Sequence, residues 1–235
     1  MLASAGVDMR IAFDPTARSA AEQMAYDAQA AEAATAVARF FLWRRPTVSF
    51  ARSPSPPLWF DPDSWARGGL EWVHRPTGGG IAFHGSDVSF SLVIPHAMGL
   101  SLRESLASSG EYIGRLCRDY TDEITVDSDT QAAGRVDYCL TQPSPYAVFW
   151  RGRKLAGLAA RRFPQAWLIQ GSLLVRPLAA ELWCALPVQV QRDLKEKAIS
   201  LTEAAGRDMP AAEIGARAAE QWRASRQSSL ETVKT

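Results

Sequence analysis

The chain lacks the cysteine patterns that a disulfide framework or a zinc site requires. Its 235 residues contain three cysteines, Cys117, Cys139 and Cys184, with neither a CxxC pair nor a Cys/His spacing suited to metal. An odd number of unpatterned thiols is typical of a reducing compartment, so we expect a cytoplasmic protein. For the same reason we expect no metal site built from cysteine.

Long apolar runs and an excess of one charge are also missing. No run approaches the roughly 20 residues that span a bilayer, and the N-terminus has acids at Asp8 and Asp14 where a signal peptide would be basic and then apolar. The net charge is +1, from 26 basic and 25 acidic residues. The sequence therefore predicts neither nucleic acid nor membrane as a partner.

The order of apolar and polar segments predicts an α+β fold. Residues 17–38 are rich in helix formers without glycine or proline and predict one long helix after an irregular N-terminal segment 1–15. Strands and helices then follow without regular alternation, which favours a mixed, largely antiparallel sheet flanked by helices. We expect strands at 40–43, 47–51, 71–73, 89–94, 123–126, 146–150, 154–160 and 167–175, and helices at 102–120, 179–186, 189–203 and 211–226. A proline-rich loop precedes a short segment that Asp63 is expected to cap.

A glycine-dense turn stands out between two apolar runs. It reads His74-Arg75-Pro76-Thr77-Gly78-Gly79-Gly80-Ile81-Ala82-Phe83-His84. Consecutive glycines allow positive φ and let the backbone lie directly against a ligand, although many such turns only connect strands. Because the glycines lie between strands and lack the GxGxxG and GxxxxGK[ST] spacings, the turn is neither a dinucleotide site nor a P-loop.

A second cluster supplies a thiol and a lysine. Cys139-Leu140-Thr141-Gln142-Pro143-Ser144-Pro145-Tyr146 leads into a hairpin whose turn is Arg151-Gly152 and whose second strand begins Arg153-Lys154-Leu155-Ala156-Gly157. A thiolate beside a lysine in a partly desolvated pocket could act as a nucleophile, whereas the alternative is a small buried apolar side chain. Lys154 could equally be a solvated hairpin lysine. Cys117 and Cys184 are expected to be core residues.

Together these two motifs resemble the lipoate–protein ligase and octanoyltransferase branch of the biotin/lipoate ligase-like superfamily. That family has an Arg-Arg-x-(Ser/Thr)-Gly-Gly-Gly turn followed by an alanine and a histidine, and then a lysine in Gly-x-Lys-(Val/Ile/Leu)-x-Gly. Here Gly152-Arg153-Lys154-Leu155-Ala156-Gly157 is similar to the second motif, and Gln170-Gly171-Ser172 to the strand after it. The resemblance covers about residues 17 to 177. It implies a catalytic domain over residues 1–177 and a helical C-terminal extension over 178–235.

The resemblance also implies roles for individual residues. Cys139 would be the nucleophile, because one octanoyltransferase branch has a similar Cys-Phe-x-x-Pro-Ser-x-Tyr segment, and Lys154 would be the cation at the carbonyl. The expected substrate-binding residues are Arg75, Thr77, Gly78, Gly79, Gly80, His84 and Gly157. From the residues alone, a histidine beside a glycine turn is more often a structural hydrogen-bonding group than an acid or base.

Three activities are consistent with this resemblance. The first is transfer of octanoyl or lipoyl groups from acyl carrier protein through a cysteine thioester, with no cofactor. The second is an ATP- and Mg²⁺-dependent lipoate–protein ligase. In both cases the acceptor would be a lysine on a lipoyl-domain protein, such as glycine cleavage H protein or the E2 component of a 2-oxoacid dehydrogenase. His74 and Leu158, which depart from the family pattern, keep a third hypothesis open, a non-catalytic module that binds lipoyl or fatty-acyl groups.

Overall fold

The chain forms two β-sheets in the computed structural model, which describes residues 9–52, 56–128 and 137–232. The strands are β1 (Arg10–Arg18), β2 (Val37–Trp43), β3 (Thr47–Phe50), β4 (Glu71–His74), β5 (Ala82–His84), β6 (Asp87–Pro95), β7 (Ile124–Val126), β8 (Val148–Trp150), β9 (Arg153–Arg162) and β10 (Ala166–Leu174). The helices are α1 (Ala20–Glu32), α2 (Pro62–Arg67), α3 (Leu102–Arg118), α4 (Ala180–Ala185), α5 (Val188–Lys197), α6 (Leu201–Ala205) and α7 (Ala211–Thr232).

The larger sheet has seven strands in the order β1-β2-β6-β10-β9-β8-β7, and the smaller has three in the order β4-β3-β5. Only the β1–β2 and β3–β4 pairs are parallel among the described strands. All other pairs are antiparallel. The predicted α+β class with a mixed, largely antiparallel sheet is therefore confirmed.

The N-terminal prediction was wrong in two respects. Residues 10–15, expected to be irregular, belong to β1, which forms because it pairs with β2. The predicted helix 17–38 is shorter, since Ser19 and Glu22 form a capping box that starts α1 at Ala20. It ends at Glu32 because Ala34 takes a positive φ of 48°, after which the chain enters β2. An alanine in this conformation gives no stop signal in the sequence.

Smaller corrections concern the caps and the C-terminal half. The cap of α2 is Asp61, which accepts a hydrogen bond from the Asp63 amide, so Asp63 lies inside the helix. Cys184 is exposed on α4, whereas Cys117 is buried as expected. The predicted helix 189–203 is divided into α5 and α6. The backbone between them turns to the sheet, where the Ile199 amide donates to the Lys154 carbonyl at 3.0 Å.

One face of the large sheet carries a polar row that α1 covers. Arg39 of β2, Ser91 of β6 and Gln170 of β10 are neighbours across the strands and share this face. All three hydrogen-bond the buried carboxylate of Asp27 on α1, with donor–acceptor distances of 2.6, 2.7 and 2.7 Å. Gln23, one helical turn earlier, accepts a further bond from Arg39 at 2.5 Å. These polar groups fix α1 to the sheet.

The opposite face of the sheet holds the main apolar core under α3 and α7. Phe40 and Phe90, opposite each other on β2 and β6, point to this face. Phe40 meets the edge of the Trp222 ring of α7, and Tyr112 of α3 packs against Trp222 with ring centroids 4.4 Å apart. Thus α7 contributes to the same core as the strands, while the division of the chain at residue 177 stays a prediction. No helix in the described ranges is long and apolar enough to cross a bilayer.

The buried pair of Asp27 and Arg39 generates the first test. Arg39→Ala is expected to lower the free energy of unfolding by about 3 to 5 kcal/mol, because it leaves a carboxylate buried without its cation. Both side chains are almost fully buried and 2.6 Å apart. Urea denaturation followed by circular dichroism measures the change.

The matched control is Arg118→Ala. Arg118 and Glu111 lie 2.7 Å apart, but both are largely exposed. The loss in this variant should stay below about 1 kcal/mol. Equal, small losses in the two variants would contradict the role assigned to the buried pair.

Candidate active site

A mostly apolar cavity of about 90 Å³ lies where the glycine turn, the Cys139 segment and strands β9 and β10 meet. Its polar lining groups come from both predicted motifs and include Arg75, His84, Cys139 and Lys154. Its apolar wall is lined by Met24, Phe41, Trp43, Phe83, Phe90, Leu140, Leu158 and Ala159. A slot with one polar wall suits a ligand that has a reactive polar end and an apolar chain.

The glycine turn is held in shape by the Arg75 guanidinium. Its Nη2 donates to the carbonyl oxygens of Gly78 at 2.7 Å and Gly80 at 2.5 Å, and its Nη1 donates to the Ser49 carbonyl at 3.0 Å. Gly79 has a φ of +91°, and a Cβ there would lie 3.1 Å from Arg75 Nη2. The turn therefore needs glycine at position 79 and a guanidinium inside it.

Thr77 ties the turn to the polar row under α1. Its hydroxyl donates to Gln170 Oε1 at 2.8 Å, and the Gln170 amide donates in turn to Asp27. Thr77 is fully buried. It therefore anchors the turn and does not face the cavity.

Cys139 reaches the cavity because its segment pairs with the end of the glycine turn. The Cys139 amide donates to the Ile81 carbonyl at 2.8 Å, and the Ile81 amide donates to the Asp137 carbonyl at 2.8 Å. These bonds place the half-buried thiol 3.7 Å from Arg75 Nη2, which donates to the sulfur. The thiol thus has a cationic hydrogen-bond donor at its sulfur.

Lys154, the second residue of β9, is buried and lines the same cavity as this thiol. Its ammonium donates to the Gln142 carbonyl and to the Ser144 hydroxyl, each at 2.8 Å, so both partners belong to the Cys139–Tyr146 segment. Burial lowers the pKa of Lys154 to about 8, against the opposing effect of negative charge on Cys139 and Asp127. Gly157 leaves room for this side chain, because a Cβ there would lie 3.4 Å from Nζ.

His84 lies between a serine and a carboxylate. Its Nε2 is 2.8 Å from the Ser49 hydroxyl and its Nδ1 is 2.9 Å from Asp87 Oδ2, while its ring stacks on Trp43. Burial of Asp87 would by itself raise the pKa of the carboxyl. The charge of His84 and hydrogen bonds from His84 and nearby serine hydroxyls outweigh that effect and hold the pKa below its ordinary value.

The structure thus brings most of the predicted residues together. Arg75, Gly79, His84, Cys139, Lys154 and Gly157 line the cavity, whereas Thr77, Gly78 and Gly80 shape the turn behind or beside it. The functional roles assigned to these residues stay predictions. The sequence interpretation missed Asp87, Ser49 and Met24, because none of them stands at a spacing that signals a site. Ser144 stood in the cysteine segment but was given no role.

Comparison with known proteins agrees with the motifs. The family model for the lipoyl protein ligase A/B catalytic domain matches residues 14–223. A protein named octanoyltransferase LipM from Geobacillus kaustophilus is 28% identical over 187 residues, covering 72% of this chain and 67% of its own length. The LipM protein of Symbiobacterium thermophilum is 31% identical over 198 residues, covering 74% of this chain and 69% of its own.

Solved structures show the same fold at lower identity. Lipoate-protein ligase A bound with ATP superposes with a TM-score of 0.68 at 17% identity, over 90% of this chain and 83% of that one. A bi-partite lipoate protein ligase from Thermoplasma acidophilum gives 0.60 at 16% identity, over 91% and 82%. The predicted ligase-like fold is thereby confirmed. From the family match and the two motifs, the chain belongs to the lipoyl protein ligase A/B catalytic domain family.

Proposed function

We propose that the protein transfers a medium-chain acyl group, octanoyl or lipoyl, from a carrier thioester to a lysine of a lipoyl-domain protein through Cys139. The observation that carries this proposal is that the Cys139 thiol contacts a guanidinium and lines the same mostly apolar cavity as the buried Lys154. The similarity to proteins named octanoyltransferase supports it.

The proposed reaction has two acyl exchanges. In the first, the Cys139 thiolate attacks the thioester carbonyl, the bond from that carbon to the carrier sulfur breaks, and the carrier leaves as a thiol after gaining a proton. In the second, the lysine amine of the acceptor attacks the Cys139 thioester, the bond from its carbonyl carbon to the Cys139 sulfur breaks and an amide forms. The proton lost by the amine replaces the one given to the carrier, and Cys139 is released as the thiolate. No oxidant or nucleotide enters either step, because the donor thioester is already activated.

Lys154 would stabilise the oxyanion that forms in both exchanges. Among the described residues, Gln142 and Ser144 accept from two of its three N–H groups, and the third would donate to a substrate oxygen. A fixed cation in a desolvated cavity needs no reorganisation when negative charge develops on that oxygen. The same ammonium can give a proton to the departing carrier sulfur.

The competing hypothesis is an ATP-dependent lipoate–protein ligase. The fold is shared with a ligase bound with ATP, although an identity of 17% shows the fold alone. Arg75 and Lys154 are the cationic side chains of the described cavity lining, and both donate to groups of the protein itself. This lining offers few free donors to a triphosphate, and we therefore derive no step through ATP.

The decisive experiment is acyl transfer without ATP. Purified protein incubated with octanoyl-acyl carrier protein should gain the mass of one octanoyl group on Cys139, and a lipoyl domain added afterwards should remove it. Cys139→Ala should abolish both, whereas Cys184→Ala, which changes an exposed thiol, should leave both unchanged. ATP-dependent attachment of lipoate that survives in Cys139→Ala would support the ligase instead. Binding of lipoyl domains without either reaction would support the non-catalytic module.

The lowered pKa of Lys154 predicts how the rate depends on pH. The side chain is a cation below its pKa of about 8 and neutral above it. If the cation stabilises the oxyanion, the transfer rate should fall as the pH rises through about 8. In Lys154→Arg, whose guanidinium stays charged, the remaining activity should not fall in this range. Single-turnover rates between pH 6 and 10 measure the effect.

A ratio of the wild-type rate to the Lys154→Arg rate that rises through pH 8 would show that the neutral amine acts as a base, contrary to the role proposed for Lys154, because the other titrating groups affect both proteins alike. Lys154→Met measures how much the charge contributes to the rate, because methionine is similar in length to lysine but uncharged. Its rate should fall by about 100-fold or more, the loss that accompanies removal of one oxyanion donor.

A further inference from the structure

Three side chains link a buried carboxylate to the proposed nucleophile. Asp87 binds His84, His84 binds the Ser49 hydroxyl, the Arg75 guanidinium donates to that hydroxyl at 3.2 Å, and the same guanidinium donates to the Cys139 sulfur. Asp87, His84, Ser49 and Arg75 are all at least nine-tenths buried. These hydrogen bonds are therefore formed between groups of the protein that are shielded from solvent.

Asp87 determines that the proton of its hydrogen bond with His84 lies on Nδ1. Asp87 accepts hydrogen bonds from the Gly85 amide and the hydroxyls of Ser89 and Ser172, in addition to its contact with His84. A carboxylate with a lowered pKa is an acceptor only, so the proton of the His84–Asp87 contact is assigned to Nδ1. In the neutral imidazole Nε2 is then an acceptor, and in the imidazolium, whose charge lowers the pKa of Asp87, Nε2 is a donor.

The histidine in turn orients the serine hydroxyl. The Ser49 hydroxyl donates to Nε2 of a neutral ring or accepts from Nε2 of a charged one, and in both cases a lone pair remains for Arg75 Nη1. Nη1 thus has two acceptors on Ser49, the carbonyl and the hydroxyl, while Nη2 faces the turn carbonyls and the sulfur. The plane of the guanidinium is fixed from both sides.

We propose that His84, held by Asp87, is a positioning residue that acts through Ser49 to keep the Arg75 guanidinium against the Cys139 sulfur. A guanidinium held there keeps a donor and a positive charge against the reacting sulfur, whereas one that swings within the turn does not. This inference rests on the proposed role of Cys139 as nucleophile. It gives His84 a role that does not require contact with substrate.

The test measures the reactivity of Cys139 itself. Iodoacetamide alkylation of the folded protein at pH 7, followed by mass spectrometry of the Cys139 peptide, needs no acyl substrate. Exposed Cys184 provides an internal reference, and Cys117 should stay unmodified, because burial raises the pKa of its thiol to about 12. In Ser49→Ala the alkylation rate at Cys139 should fall by roughly fivefold, the factor expected for one lost hydrogen bond.

Two substitutions of His84 separate positioning from simple structural support. The amide of His84→Asn can occupy the Nδ1 position and keep the bond to Asp87, but it is too short to reach Ser49. The amide of His84→Gln can occupy the Nε2 position and accept from Ser49, but it loses Asp87. Cys139 alkylation should fall in His84→Asn to the level of Ser49→Ala and should recover at least partly in His84→Gln. Thermal melts are expected to show similar stability losses in both.

The control is His96→Asn. His96 is bonded to the Phe163 carbonyl at 3.1 Å, outside the cavity lining, so its loss should lower stability without changing Cys139 alkylation. The proposal is overturned if alkylation rises in Ser49→Ala, or if it follows the melting temperature in every variant. If the wild-type protein does not accept an acyl group on Cys139, the proposed function is refuted, but the alkylation rates still test the positioning role. The two failures can therefore be distinguished.

Discussion

The structure depends first on the burial of one carboxylate. Asp27 is 1% exposed, and its two oxygens accept from Arg39, Ser91 and Gln170, which stand side by side on three adjacent strands. A buried charge requires a partner and several hydrogen bonds, so the carboxylate can be accommodated only when these strands and α1 are correctly aligned. The register of the sheet and the position of α1 on it are thus coupled through the Asp27 carboxylate. Gln170 then extends the coupling to Thr77 and the glycine turn.

At the site, Arg75 is likewise one buried charged group that joins several segments through hydrogen bonds. One guanidinium satisfies the carbonyls of a glycine turn that has no side chains of its own and contacts the sulfur that the adjacent segment delivers. A planar group with fixed donors suits this task better than an ammonium, whose hydrogen bonds have no fixed directions. Glycines give the turn its shape, and the arginine gives it rigidity. Both properties are needed if a flexible acyl chain is to be held against a fixed nucleophile.

The sequence predicted those site residues that stand in motifs with a recognisable spacing. Arg75, Cys139 and Lys154 stand in recognisable motifs. The hairpin could be predicted because Arg151-Gly152 separates two β-rich runs, and both residues take positive φ in the structure. Asp87 could not be assigned, since its role depends on contacts with serines brought together by strand pairing. Strand β1 and the division between α5 and α6 were missed for a related reason. Each is determined by pairing with a distant strand, which overrides local propensity.

Burial of Lys154 connects the stability of the fold to the proposed chemistry. An unperturbed lysine has a pKa near 10.4 and would hold its proton far more tightly than a departing thiolate, whose pKa is about 8.5. At a pKa of about 8, the ammonium can give its proton to a carrier thiolate at little cost in free energy. Below that pH it is still charged when the oxyanion forms. The desolvation that makes this possible disfavours the buried cation by an amount on the order of 3 kcal/mol, which the rest of the core must offset. The hydrogen bonds from Lys154 to the Gln142 carbonyl and the Ser144 hydroxyl, both in the Cys139–Tyr146 segment, offset part of this cost.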